Sequence, residues 1–97
     1  MNRTGGMGTF AEYQIMPEIG VVVIGKDIPM EQASLVGCGV MTGVGAAINT
    51  ARIQPGSTVA VFGAGGVGLN CIQGASIAGA TTIIAVDMLD NKLDMSR

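Results

Sequence analysis

Residues 58–87 read TVAVFGAGGVGLNCIQGASIAGATTIIAVD, and this stretch decides the fold. Thr58–Phe62 is a continuous run of strand formers, the pattern of a strand covered on both faces. Gly63–Gly68 is glycine-rich. From Val67 to Ala78 the apolar residues Leu69, Ile72, Ala75 and Ala78 recur at helical spacing. Gly79 stands where a left-handed helix cap is expected. Thr81–Val86 is a second apolar strand, and it ends at Asp87. The order strand, glycine turn, helix, strand within 30 residues is one βαβ unit.

Gly63-Ala64-Gly65-Gly66-Val67-Gly68 has the form Gly-x-Gly-x-x-Gly, which alone is a weak signal in a chain with 16 glycines. Its context sharpens it. The motif follows an expected strand, opens an expected helix, and has an acidic residue 19 positions after Gly68. Each part has a physical task. Gly63 permits a tight turn out of the strand. Gly65, lacking a Cβ, lets the backbone approach a pyrophosphate. Gly68 lets the helix lie close to the sheet. The helix end, at Gly66 and Val67, offers amides and a positive dipole end to phosphates. Asp87 can accept hydrogen bonds from both ribose hydroxyls of an adenosine and would repel a 2′-phosphate, so NAD is expected over NADP. No arginine follows Asp87 until Arg97, in keeping with that choice. The competing reading is a glycine-rich turn in an α/β core with no ligand.

Working outward, Gly8–Met16 is rich in strand formers, and Pro17 and Glu18 interrupt it. Ile19–Ile24 is a second short strand, so an antiparallel pair is expected. Pro29 opens a helical turn through Leu35. Gly37-Cys38-Gly39 reads as a break. Thr42–Arg52 is expected to be helical, and its small residues Gly43, Gly45, Ala46, Ala47 and Ala51 allow close packing on another element. Gln54-Pro55-Gly56-Ser57 is a turn. Asp90–Arg97 opens as another helix, with Asp90 available as its N-cap.

Composition excludes several classes. The hydrophobic share of 48% rules out a disordered tail, and 12% charged residues is about half the usual share. A net charge of −2 with three aromatics argues against a nucleic-acid binder. Two cysteines, Cys38 and Cys71, do not make a multi-bridge scaffold. The chain has no histidine, which removes any Ser-His-Asp triad or histidine-based metal site confined to it. The first dozen residues lack the apolar core of a secretory signal. Gln32–Ala51 and Ile53–Val86 are free of charge, and a membrane hairpin is therefore one alternative. Polar residues and the glycine cluster inside the second stretch favour parallel strands instead. Taken alone, Cys38 reads as a small buried hydrophobe and Cys71 as core.

From Gly37 onward, GCGVMTGVGAAINTARIQPGSTVAVFGAGGVGLNCIQGASIAGATTIIAVD resembles the zinc-dependent alcohol dehydrogenases of the medium-chain dehydrogenase/reductase superfamily. It is most similar to the branch with glutathione- or mycothiol-dependent formaldehyde dehydrogenases. GTFAEYQIMPE and VVVIGKDIPMEQASLVGCG resemble strands of that family's catalytic domain. The resemblance implies an α/β fold: a partial Rossmann unit, preceded by the tail of a GroES-like β domain and a connecting helix. The implied divisions are residues 1–40 for the catalytic-domain tail, 41–57 for the connecting helix and turn, and 58–97 for the start of the NAD-binding domain. It implies Cys38 as a ligand to a catalytic zinc, Thr42 near the nicotinamide, and Val67 against the nicotinamide face. It further implies Asp87 and Lys92 at the adenosine ribose. The activity implied is hydride transfer between a zinc-bound alcohol, or a hydroxymethyl-thiol adduct, and NAD. The implied enzyme is cytoplasmic and homo-oligomeric, with a small alcohol or aldehyde substrate and no nucleic-acid or membrane partner.

The family's other zinc ligands, its Gly-His-Glu motif and its four structural cysteines are missing from these 97 residues. One thiolate does not hold a catalytic zinc, which takes about three protein ligands. The chain is therefore expected to be a fragment, inactive alone and poorly stable, because its apolar strands have too few helices to cover them. A non-catalytic NAD-binding or interaction module is the alternative role.

Overall fold

The computed structural model describes residues 10–97. The first residues of the expected Gly8–Met16 strand, and most of the stretch weighed as a signal, lie outside the described residues. Helix α1 spans Met30–Thr50, strand β1 Thr58–Phe62, helix α2 Gly66–Ile77, strand β2 Thr82–Val86 and helix α3 Asp90–Met95.

The two strands are parallel and in register, Thr58 opposite Thr82 and Phe62 opposite Val86. Parallel neighbours need a crossover, and α2 supplies it. The expected βαβ unit is thus present, with β2 beginning one residue later than read from sequence. Val59, Val61, Ile83 and Ala85 are the more covered residues of each strand. Ala60, Phe62, Ile84 and Val86 alternate to the opposite face and are exposed, Phe62 at 80%. That face carries the apolar pattern of a doubly covered strand with nothing over it among the described residues.

Both turns at the lower end follow from their residues. Gln54–Ser57 closes with the Ser57 amide donating to the Gln54 carbonyl at 3.1 Å, with Pro55 second and Gly56 third at φ +86. This is the pattern of a type II turn. Helix α2 ends with Gly79 at φ +85. The Ala80 amide reaches the Ala75 carbonyl and the Gly79 amide reaches Ser76, each at 3.0 Å. These are the paired bonds of a glycine-terminated helix. The two turns then join, because the Gly56 amide donates to Gly79 and the Thr81 amide to Ser57. The Thr81 hydroxyl also donates to the Gly56 carbonyl at 3.1 Å.

Helix α1 runs straight through the expected break. Backbone angles at Leu35, Val36, Val40, Met41 and Gly45 are all right-handed helical. The turns at Val36–Val40 and Ala46–Thr50 widen to i→i+5 bonding, as in the 2.8 Å bond from the Ala51 amide to Ala46. Gly37 and Gly39 permit a break but do not require one, and the backbone stays helical through both. It stops at Arg52, which is left-handed at φ 51. At 21 residues and mean hydropathy 1.3 it is long and apolar enough to cross a membrane. The second charge-free stretch forms two strands, a turn and α2, so it is not a second such helix.

The expected antiparallel pair is absent among the described residues. Glu18–Gly20 forms a single tight turn, and Val21–Gly25 is irregular with no ladder partner. Two strands alone are marginal in water, and among the described residues no further strand lies beside this segment to hold it. Asp90 is not the cap of α3. Leu89 takes that place, with φ −113, and its carbonyl receives the Lys92 amide at 3.0 Å.

α1 and α2 cross where side chains are missing. A Cβ on Gly43 would lie 2.6 Å from the Val67 carbonyl oxygen. One on Gly74 would lie 2.9 Å from both the Ala47 Cβ and the Val44 Cα. The small residues of α1 thus serve the close packing read from sequence, although Gly45 meets only Asn49. Gly74→Val is expected to lower stability by about 1–3 kcal/mol through overpacking. Gly20→Ala, whose Cβ meets nothing within 4 Å, is expected to be neutral. Urea denaturation followed by circular dichroism checks the pair, and equal midpoints would contradict the packing account.

Candidate cofactor site

The site lies at the carboxyl ends of β1 and β2, where ligands of open parallel sheets bind. Phe62, Gly63, Val86, Asp87 and Met88 line a shallow groove of about 310 Å³ there. β1 ends at Phe62 and the chain turns at Gly63, φ +93, a conformation glycine adopts without steric cost. The Gly63 amide donates to the Val86 carbonyl at 2.7 Å, tying the turn to β2. A Cβ on Gly68 would overlap the Gly63 carbonyl oxygen, so the first turn of α2 lies directly on the turn below it.

Gly65 and Gly66 differ from Gly68. A Cβ at either would meet nothing within 4 Å, so their front is open. Gly65 caps α2 in an extended conformation, with no side chain bonded to the helix end. The first helical bond runs from the Leu69 amide to the Gly65 carbonyl at 2.8 Å. The amides of Gly66, Val67 and Gly68 therefore point out of a 12-residue helix, with its positive dipole end behind them. This arrangement suits a pyrophosphate.

Asp87 follows β2 and is partly buried. Its Oδ2 accepts the Ala64 amide at 2.7 Å and its Oδ1 accepts the Leu89 amide at 3.0 Å. The Ala64 bond most of all, then the Leu89 bond, hold the carboxyl below its ordinary 3.8, with Lys92 on α3 adding a weaker pull in the same direction. Burial opposes them. Ala64 is fully buried and was not singled out in the sequence, where it is only the variable residue between two glycines. Its small size at that position was the one available sign.

Thr42 is exposed on α1, beside Gly43, which abuts Val67. The fold therefore brings Thr42 and Val67 to the same end of the α1–α2 contact. Cys38 lies four residues earlier on α1 and is exposed, so it is not the buried hydrophobe its residue type suggested. Cys71, read from sequence as core, is half-buried and lines an open groove with Val59 and Ala47. Among the described residues no three His, Cys, Asp or Glu side chains gather to hold a metal. Glycine turn, helix end and carboxylate fit a dinucleotide; Cys38 alone does not fit a zinc.

No protein-family model matches the chain. It is 47% identical over 91 residues to S-(hydroxymethyl)glutathione dehydrogenase of Paracoccus denitrificans, covering 94% of this chain and 24% of that protein. It is 54% identical over 85 residues to alcohol dehydrogenase 6 of Peromyscus maniculatus, covering 88% and 23%. Among solved structures, benzyl alcohol dehydrogenase of Acinetobacter calcoaceticus superposes with a TM-score of 0.85 at 39% identity, covering 93% of this chain and 25% of the other. The chain thus spans about a quarter of the length of the relatives it matches.

The lowered acidity of Asp87 has a signed consequence. The folded carboxyl holds its proton less tightly than the unfolded one, so it stabilises the fold above about pH 3.9. That contribution is lost as pH falls through the lowered folded value. The stability gap between the unmodified chain and Asp87→Asn should therefore narrow as pH drops from about 6 to about 3. Urea midpoints across that range check it, and a constant gap would contradict the account.

Proposed function

We propose that this chain, which belongs to the zinc-dependent alcohol dehydrogenase family, supplies the phosphate- and ribose-binding part of an NAD site in a longer oxidoreductase. The observation that carries the reading is the carboxylate of Asp87, held at the end of β2 beside a glycine turn that opens a helix. The amides of Gly66, Val67 and Gly68 receive the pyrophosphate, with Gly63 shaping the turn and Gly65 leaving room for the approach. Asp87 orients the adenosine ribose through the lone pairs not engaged by Ala64 and Leu89. Lys92, whose charge weakly favours the ionised Asp87, adds a donor on the ribose side. Thr42 and Val67 face the nicotinamide end. When bound, NAD accepts hydride from the substrate carbon, with positioning and electrostatics left to the protein.

The enzyme as a whole is read as acting on an alcohol, or a hydroxymethyl-thiol adduct, coordinated to zinc. Cys38 would contribute one ligand to that centre, and a single thiolate does not hold the metal. Residues 1–40 are assigned to the tail of the catalytic domain and 58–97 to the start of the NAD domain. The helix α1 runs across the division at residue 40, so the two are joined by a rod and not by a loose linker.

Calorimetric titration of the chain with NAD and NADP tests the reading. NAD binding is expected, NADP weaker by at least about tenfold through 2′-phosphate repulsion, and Asp87→Ala abolishing the difference. With zinc and a primary alcohol added, the chain alone is expected to form no NADH. Failure of a folded chain to bind NAD would overturn the cofactor reading, and turnover would overturn the inactivity.

A further inference from the structure

Ala64 is fully buried at the centre of the glycine turn, so water does not reach its amide. A buried amide without a partner carries its full desolvation cost. Its partner is the Oδ2 of Asp87, 23 residues later, at 2.7 Å. The other oxygen of the same carboxylate accepts the Leu89 amide from its own turn. The carboxylate is therefore pinned at both ends, with Oδ2 reaching across to the loop that follows the neighbouring strand. A carboxylate has about four lone-pair sites, so two remain for a ligand.

We propose that Asp87 is a positioning residue for the glycine turn: by accepting the Ala64 amide it holds the Gly63–Gly66 backbone in the shape that presents amides to a phosphate. Ribose recognition and phosphate recognition then share one anchor. The inference rests on the dinucleotide reading for what the turn binds, but not for the anchor itself. It separates cleanly from a ribose-only role. If Asp87 served the ribose alone, its removal would take away a negative charge and tighten binding of a bare anion. As an anchor, its removal loosens the turn and weakens that binding.

The test uses the full chain, NMR, and inorganic pyrophosphate, which has no ribose. In the unmodified chain a through-hydrogen-bond coupling between the Ala64 amide nitrogen and the Asp87 carboxyl carbon is expected. In Asp87→Ala, Ala64 amide exchange should accelerate at least about tenfold relative to Leu69, and pyrophosphate affinity should fall. Asp87→Asn, whose amide oxygen still accepts the Ala64 N–H, should keep both within about threefold of the unmodified chain. Pyrophosphate binding unchanged or tighter in Asp87→Ala would overturn the proposal, as would absence of the coupling. If Asp87→Ala also loses Leu69 protection it has unfolded, and the coupling together with Asp87→Asn decides. An unmodified chain that shows the coupling but binds neither pyrophosphate nor NAD overturns the dinucleotide reading and the phosphate half of the proposal, while the anchor stands.

Discussion

The position of helix α2 depends on three places where no β-carbon is tolerated. At Gly68 the helix rests on the Gly63 carbonyl, and at Gly43 and Gly74 the helices α1 and α2 approach within side-chain distance of each other's backbone. Dense packing of this kind is specific because even one added methyl group must displace something. The fully or nearly buried residues are correspondingly small: Ala47, Ala64 and Ala75. Here backbone packs on backbone, and the precision of the helix end follows from that.

From this packing comes the electrostatics of the site. With α2 seated on the turn, its unpaired amides face the open space before Gly65 and Gly66. The turn in turn places the Ala64 amide against Asp87. A negative carboxylate close to a site for negative phosphates would be unfavourable if free to move. Two amides, those of Ala64 and Leu89, fix it instead, and the helix end before Gly65 and Gly66 stays open. The exposed apolar face of Phe62, Ile84 and Val86 shows the other side of the same arrangement: a strand pair built for cover on both faces has it on one.

The β-rich first part of the chain reads differently from sequence and in the fold. Tyr13, Ile15 and Val21–Val23 carry strand propensity, yet they stand exposed and unpaired. Strand propensity expresses fit to a pleated, half-buried surface, and here no such surface is offered. Gly37-Cys38-Gly39 misleads for the opposite reason. Glycine allows a break but costs a helix interior only about 1 kcal/mol relative to alanine, and α1 continues through both glycines. Asp90 has the residue type of a cap, but the first amides of α3, those of Lys92 and Leu93, donate to the carbonyl of Leu89.

The sequence by itself determined the βαβ unit, the glycine turn, the left-handed cap at Gly79, the turn at Gln54–Ser57, and an acidic residue, Asp87, at the end of the second strand. These are local facts, set by period, steric freedom at glycine and the spacing of a motif. Only the tertiary structure decided that α1 is one rod from Met30 to Thr50, and that Gly43 and Gly74 mark its crossing with α2. It alone decided that the Ala64 amide is the partner of Asp87. Those facts join residues far apart in the chain, and a hydrogen bond across 23 residues leaves no period or composition by which to read it.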